Sequence, residues 1–326
     1  MDQFLIKNRV LGVDISMERT TYAIVDVRGN IIAQDYFNTL DYPNVNEYIS
    51  VLVDKVIELT ELNGGYDTIR SMGVSCPSAN FLTGSIENAA NMPWKGVVPM
   101  AAMLRDRLGM AVAVGNDAHV SALGEHVFGL AHGMNNFVVI SLGHGIGSCI
   151  FSQGRPHLGA EGFAGEFGHT CVIPEGRQCG CGNKGCLETY CAERGIVTTA
   201  HELMQDSNEP SLMRQQERLT PRIIFECCEQ GDAMAQEVFR RTGRTLGFSL
   251  ASLASVIDPE AFIFTGGIAK AGHWLLDSAR EVFEQHVFHN IQGRVKFLRS
   301  TFNDRERDVL GASVLAWGIK EYSLFK

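Results

Sequence analysis

Phe137-Val-Val-Ile-Ser-Leu-Gly-His-Gly-Ile-Gly-Ser-Cys-Ile-Phe-Ser-Gln-Gly154 is the stretch whose reading decides the fold. An apolar run (Phe137–Ser141) enters a glycine loop, a second apolar run (Ser148–Phe151) leaves it, and Ser152-Gln-Gly154 makes a turn. Short β-branched and aromatic runs bounded by glycine read as strand, loop, strand, turn. The same unit stands near the start of the chain. There Val10–Val13 and Tyr22–Val27 are followed by the turn Arg28-Gly-Asn30 and by Ile31-Ile32, an antiparallel meander. One unit used twice predicts two related α/β halves, each placing a loop at a shared cleft.

The segments between fill in both halves. Residues 44–62 carry Val45, Tyr48, Ile49, Leu52, Val53, Val56 and Ile57 at helical spacing. A strand over Ser71–Ser75 and a helix over Pro99–Leu108 follow. The strand Ala111–Val114 delivers Asn116 and Asp117 at its end, ahead of a helix over Ala118–Phe128. Ligands of α/β folds gather at the carboxyl ends of strands, which puts Asp117 in a catalytic place. Asn-Asp is equally a good helix N-cap, and one pair can serve both ends. Further helices are expected over 187–204, 221–228, 233–256 and 273–288, with a strand Ala261–Phe264 running into Thr265-Gly-Gly267. The last helix is expected over Gly311–Tyr322, and the polar stretch 206–218 as a surface excursion. The domains expected are a small α/β domain of residues 1–118 plus 311–326 and a larger one of residues 119–310.

With 326 residues and 45% hydrophobic content, the chain can bury two cores. A net charge of −9 argues against a general nucleic-acid binder, which presents basic faces to phosphates. No apolar stretch reaches membrane-spanning length, and the first ten residues lack a signal-peptide pattern. Nine cysteines, an odd number, suit a reducing cytoplasm better than a disulfide framework. The adjacent Cys227 and Cys228 read as buried thiols within a helix.

Three of those cysteines are clustered. His169-x9-Cys179-x-Cys181-x4-Cys186 offers three thiolates and an imidazole, a complete tetrahedral shell for Zn²⁺. Gly180, Gly182 and Gly185 are expected to let the backbone fold the sulfurs to one point. With every position filled by protein the metal is structural, so the chemistry lies elsewhere. Glu166 precedes His169 by three residues, close enough to share a face if the segment is helical. Glu188, beside a zinc cysteine, is expected to turn inward. Carboxylates suit a sugar because each oxygen accepts from a hydroxyl. His169 can bind metal with one ring nitrogen and a hydroxyl with the other. Trp94 reads as a core residue.

The zinc segment, Gly168-His…Cys-x-Cys-Gly-x-x-Gly-Cys-x-Glu188, resembles the signature of the ROK family, which contains bacterial sugar kinases and sugar-responsive repressors. Leu11-Gly-Val-Asp-Ile15 resembles its first phosphate strand, and Gly115-Asn-Asp-Ala118 with Ala122-Leu-Gly-Glu125 its catalytic segment. Ser141–Gly147 resembles the second phosphate loop, Gly165–His169 the sugar segment, and Phe264–Ile268 the adenosine loop. The resemblance implies a two-domain actin-like ATPase (ribonuclease H-like) fold with a central cleft. It implies ATP-dependent phosphorylation of a hexose, of glucose or N-acetyl-hexosamine type, at the 6-hydroxyl. Asp117 would be the general base. Asn91, Asn116, Asp117, Glu166, His169 and Glu188 would hold the sugar. Asp14, Gly143, Gly145, Gly147, Gly266 and Gly267 would hold ATP and Mg²⁺. Relatives are usually dimers or tetramers. The family's repressors carry a helix-turn-helix ahead of the first phosphate strand. Only about ten residues stand there in this sequence, so a kinase rather than a repressor is expected.

Two loops depart from the family pattern. Similar kinases have Asp-x-Gly-Gly-Thr at the first loop, where this chain has Asp14-Ile-Ser16-Met17-Glu18. His144 stands where the second loop usually has threonine. The sugar half is intact and the phosphate half altered, which leaves two readings: a hexose kinase, or a catalytically weak sugar-binding sensor or scaffold.

Overall fold

Strand β1 (Arg9–Ile15) is apolar almost throughout because both of its faces are covered. The computed structural model describes residues 7–89 and 92–319, apart from the side chains of 304 and 305. Its first unit comprises the described residues up to 133, with 158–163 and 301 onward. β1 pairs antiparallel with β2 (Arg19–Asp26), and β2 with β3 (Ile31–Asn38). On the other side β1 runs parallel to β4 (Ile69–Cys76). A small sheet of β5 (Ala79–Asn80), β6 (Ser85–Glu87) and β7 (Val97–Val98) comes next in the chain. β8 (Ala111–Asn116) then pairs parallel with β4, giving the order β3-β2-β1-β4-β8.

Helix α1 (Val45–Leu62) is capped by Asn44, whose side chain accepts from the amides of Asn46 and Glu47, and buries the stripe expected of it. Trp94 is buried against Tyr48 with ring centres 4.4 Å apart, a core residue as expected. Helices α2 (Met100–Leu108) and α3 (Asp117–Phe128) complete the run to residue 128.

The second unit comprises residues 134–157 and 164–300. β9 (Phe137–Leu142) pairs antiparallel with β10 (Ile146–Ser152), and β10 with the short β11 (Arg155–Pro156). β12 (Ala261–Thr265) lies parallel to β9, and β13 (Lys296–Arg299) parallel to β12. The order β11-β10-β9-β12-β13 repeats that of the first unit, two antiparallel pairings followed by two parallel ones. Helices α4 (Glu188–Cys191), α5 (Glu193–Asp206), α6 (Pro221–Glu229), α7 (Ala233–Ile257) and α8 (His273–His286) supply its apolar core, which buries Cys227 and Cys228.

Three expectations change. The helix expected over 187–204 is two, broken at Ala192, whose ψ of 176° is extended. A Cβ on Gly195 would lie 2.6 Å from the Thr189 carbonyl oxygen, so that glycine lets the second helix start close over the first. Arg177 donates to the Thr189 and Gly195 carbonyls, satisfying backbone acceptors at the break. The last helix, α9 (Asp304–Trp317), begins well before Gly311. Gly311 is a crossing point rather than a start: a Cβ there would meet the Val120 carbonyl of α3 at 2.1 Å. The unit boundary therefore falls after α3 rather than at residue 118, because α3 is clasped to α9. Tyr322, the expected end of that helix, lies outside the described residues. As expected, α9 packs on the first unit's sheet, where Gly12 and its register partner Gly73 leave room for its backbone. The 206–218 stretch is mostly exposed, as expected, and is anchored. Met213 is buried in the core, and Asp232 accepts from the Ser211 hydroxyl and the Leu212 amide.

Candidate active site and metal centre

In the second unit, one ligand atom from each of His169, Cys179, Cys181 and Cys186 lies within 4.8 Å of the others. Cys181 and Cys186 sulfurs are 3.7 Å apart, as are the Cys179 sulfur and His169 Nδ1. A tetrahedral shell with Zn–S bonds of about 2.3 Å has edges of about 3.8 Å, so the spacing fits zinc. The segment is a small hairpin, bridged at Gln178–Lys184 and at Cys171–Cys186. Gly185, at φ +73°, passes so close to Ile173 that a Cβ would lie 1.8 Å from its carbonyl oxygen. Gly182 also has positive φ, whereas Gly180 does not and has open space where a Cβ would be. Two of the three expected glycines are thus required by geometry. Burial, then its cysteine neighbours, pushes the Cys186 thiol up to about 12. The hydrogen bond with the Asn183 backbone, ahead of those with Cys179 and Cys186, draws the Cys181 thiol down. Crowded thiols of this kind are the donor set that a divalent cation deprotonates and holds.

His169 closes a 3₁₀ turn, Phe167–His169. With Nδ1 in the metal cluster, its Nε2 lies 3.9 Å from Glu166 Oε2. Glu188 turns inward, as expected: Oε2 accepts from the Ile146 amide at 3.1 Å, and a Cβ on Gly145 would lie 2.6 Å from the same oxygen. Gly145 is therefore shaped by the carboxylate beside it. Gly143 is open on its side-chain face and lines a cavity of about 700 Å³ with Gly267, Ile268, Lys270, Phe225 and Thr220. Gly266 turns away from that role. At φ +86° it passes the Leu142 carbonyl, where a Cβ would sit at 2.4 Å. Gly147 lies within β10, paired with Ser141.

In the first unit, Asn116 caps α3 with its side-chain oxygen on the Ala118 amide at 3.0 Å, and Asp117 Oδ1 accepts from the same amide at 2.8 Å. Asp117 is exposed. Asp14, next to last in β1, pairs with Ser75 of β4. Its carboxyl is held well above the usual range, chiefly by burial and then by the Asp308 charge; a Ser75 hydrogen bond opposes this, the Asp117 charge adds to it, and Arg307 opposes it least. Arg307 and Asp308, paired at 2.7 Å, come from α9, and no sequence motif pointed to them. The first loop is a tight turn in which the Ser16 amide donates to the Arg19 carbonyl, with Met17 and Glu18 exposed at its tip. The amides of Met17 and Glu18 make no hydrogen bond among the described residues. Asn91 lies outside the described residues. No helix among the described residues is long and apolar enough to cross a membrane.

Known proteins share this architecture. A glucokinase of Halalkalibacterium halodurans is 33% identical over 257 residues, 77% of this chain and 76% of the relative. A xylose repressor of Caldicellulosiruptor bescii is 25% identical over 284 residues, 86% of this chain and 71% of that protein. The crystal structure of a ROK family glucokinase from Streptomyces griseus, in complex with glucose and AMPPNP, matches with a TM-score of 0.77 at 29% identity. That match covers 95% of this chain and 99% of the other. The fold is thus the two-domain actin-like ATPase fold. The ROK family profile matches residues 10–318, and the chain belongs to that family.

Proposed function

We propose that the chain is an ATP-dependent kinase that phosphorylates a hexose, of glucose or N-acetyl-hexosamine type, at its 6-hydroxyl. Asp117 takes the hydroxyl proton, the hydroxyl oxygen bonds to the γ-phosphorus, and the β–γ bridging bond breaks to release ADP. Asn91, Asn116, Asp117, Glu166, His169 and Glu188 hold the sugar. Asp14 serves the phosphates through Mg²⁺, Gly143 and Gly267 face the nucleotide cavity, and Gly145, Gly147 and Gly266 shape the backbone beside it. Zn²⁺ on His169, Cys179, Cys181 and Cys186 fixes the sugar segment. The observation that carries this reading is Asp117. It is an exposed carboxylate at the carboxyl end of a parallel strand, accepting from the Ala118 amide at the start of α3, in a chain similar to glucokinases over most of its length. The available amides of Met17 and Glu18 support it, because phosphates are cradled by backbone N–H groups as well as by glycine loops.

Glu18, exposed at the tip of the first loop, favours a second reading, a sugar-binding sensor with little turnover. A carboxylate beside a γ-phosphate repels it unless it turns away or meets a cation. Hexose-dependent ADP release, measured with Mg²⁺ and ATP across a panel of hexoses, separates the two. The kinase reading expects release with at least one hexose. Calorimetric sugar binding without any ADP release would leave the sensor.

A further inference from the structure

Two cavities of the second unit meet at one pair of side chains. The first is the cavity of about 700 Å³ over Gly143 and Gly267. The second, about 770 Å³, runs along α5 past Val197 and His201 toward Leu219. His144 and Glu193 are the residues common to both walls. Nδ1 of His144 donates to Glu193 Oε2 at 2.5 Å. The His144 side chain is 88% exposed, so no packing fixes the imidazole, and this contact is what places it. Glu193 is placed independently, because its amide donates to the Gly143 carbonyl at 3.0 Å and it opens a 14-residue helix. Ala192 gives that helix no side-chain cap. The start of α5 is thus an electropositive end beside the glycine loop, and the Glu193 carboxylate is the anion now at it.

We propose that the His144–Glu193 pair is a charge-selective latch on the nucleotide cavity, in which Glu193 occupies the imidazole donor that a phosphate takes when the nucleotide binds. This rests on the kinase reading above, since it takes the phosphoryl donor to be a nucleoside triphosphate. A carboxylate and a phosphate are both anionic acceptors, and the one N–H of the neutral imidazole, held at Nδ1 by Glu193, serves one of them at a time. The two anions also repel across so short a span. A nucleotide therefore binds only the fraction of molecules in which the pair has opened, which weakens its apparent affinity by that fraction. Adenosine, which carries no phosphate, leaves the latch closed and escapes the effect. The competing account is an ordinary exposed ion pair, whose removal changes little.

The test is calorimetric titration of ATP and of adenosine into the zinc-loaded full chain, as wild type, Glu193→Gln, His144→Ala and the double variant. Thermal unfolding of each variant verifies that it is folded. The latch predicts that Glu193→Gln tightens ATP about tenfold while adenosine changes less than about twofold. It predicts further that most of this gain is lost when His144 is already alanine. Unchanged or weaker ATP binding by Glu193→Gln would overturn the latch while leaving the kinase reading standing. So would an equal gain in the His144→Ala background, which would be charge removal alone. A folded wild type that binds neither ATP nor adenosine would overturn the nucleotide reading, and the latch with it.

Discussion

Asn116 and Asp117 both accept from the amide of Ala118, so the pair that starts a helix is also the pair proposed to meet the sugar. The two roles draw on different atoms, and substitution separates them. Asp117→Ala removes one or two sugar hydrogen bonds, each worth about 0.5–1.5 kcal/mol, and should weaken hexose binding roughly tenfold. Loss of the base should lower kcat by about 10²–10⁴-fold. Equal losses in sugar affinity, measured by calorimetry, and in kcat would mean that Asp117 only binds. Asp14 makes a second prediction. Its unfolded-state pKa is near 3.9 and its folded-state value is raised. Between the two the folded form holds the extra proton, so stability falls as pH rises through that window. In the absence of Mg²⁺, Asp14→Asn should raise the urea midpoint at about pH 7, and the gain should fade below about pH 4. A gain independent of pH would trace to packing instead. Asp14 and Asp117 were legible in the sequence because each sits in a short motif at the end of an apolar strand. Asp308 was not, because α9 carries it to Asp14 from the far end of the chain.

The cysteine hairpin shows what spacing can and cannot reveal about an element. The candidate ligand set was legible because three thiols and an imidazole fall close together in sequence and in space. Which glycines matter was not, since that depends on Ile173, a neighbour across the hairpin. Metal analysis should find one zinc per chain. Gly180→Ala should leave it in place, whereas Gly185→Ala, forced against the Ile173 carbonyl at φ +73°, should lose most of it and weaken hexose binding through His169. Full zinc in Gly185→Ala, by plasma emission, would show that the close approach is not needed. The break at Ala192 was equally hidden. The apolar spacing runs through both α4 and α5, and only Gly195 against Thr189, together with Arg177 on the freed carbonyls, explains two helices. That break sets the Glu193 amide on Gly143, linking the cysteine segment to the glycine loop after β9.

Across the whole molecule, the doubled strand–loop–strand unit was the strongest signal, and the two sheets share one order of pairing because of it. The parallel strands were harder to place, since their partners are set by long connections rather than by local turns. The division between the units depended on glycines facing between α3 and α9, a packing detail without a sequence period. What the molecule does with this frame comes down to whether a hexose leaves it phosphorylated. The most direct measurement is ³¹P NMR of ATP, Mg²⁺ and the best-bound hexose with the wild-type chain, beside the matching 6-deoxy-hexose. The account predicts a sugar phosphomonoester growing in step with ADP for the hexose, and neither for its 6-deoxy partner. An unchanged ATP spectrum with sugar bound, or a phosphomonoester formed equally from the 6-deoxy sugar, would contradict it.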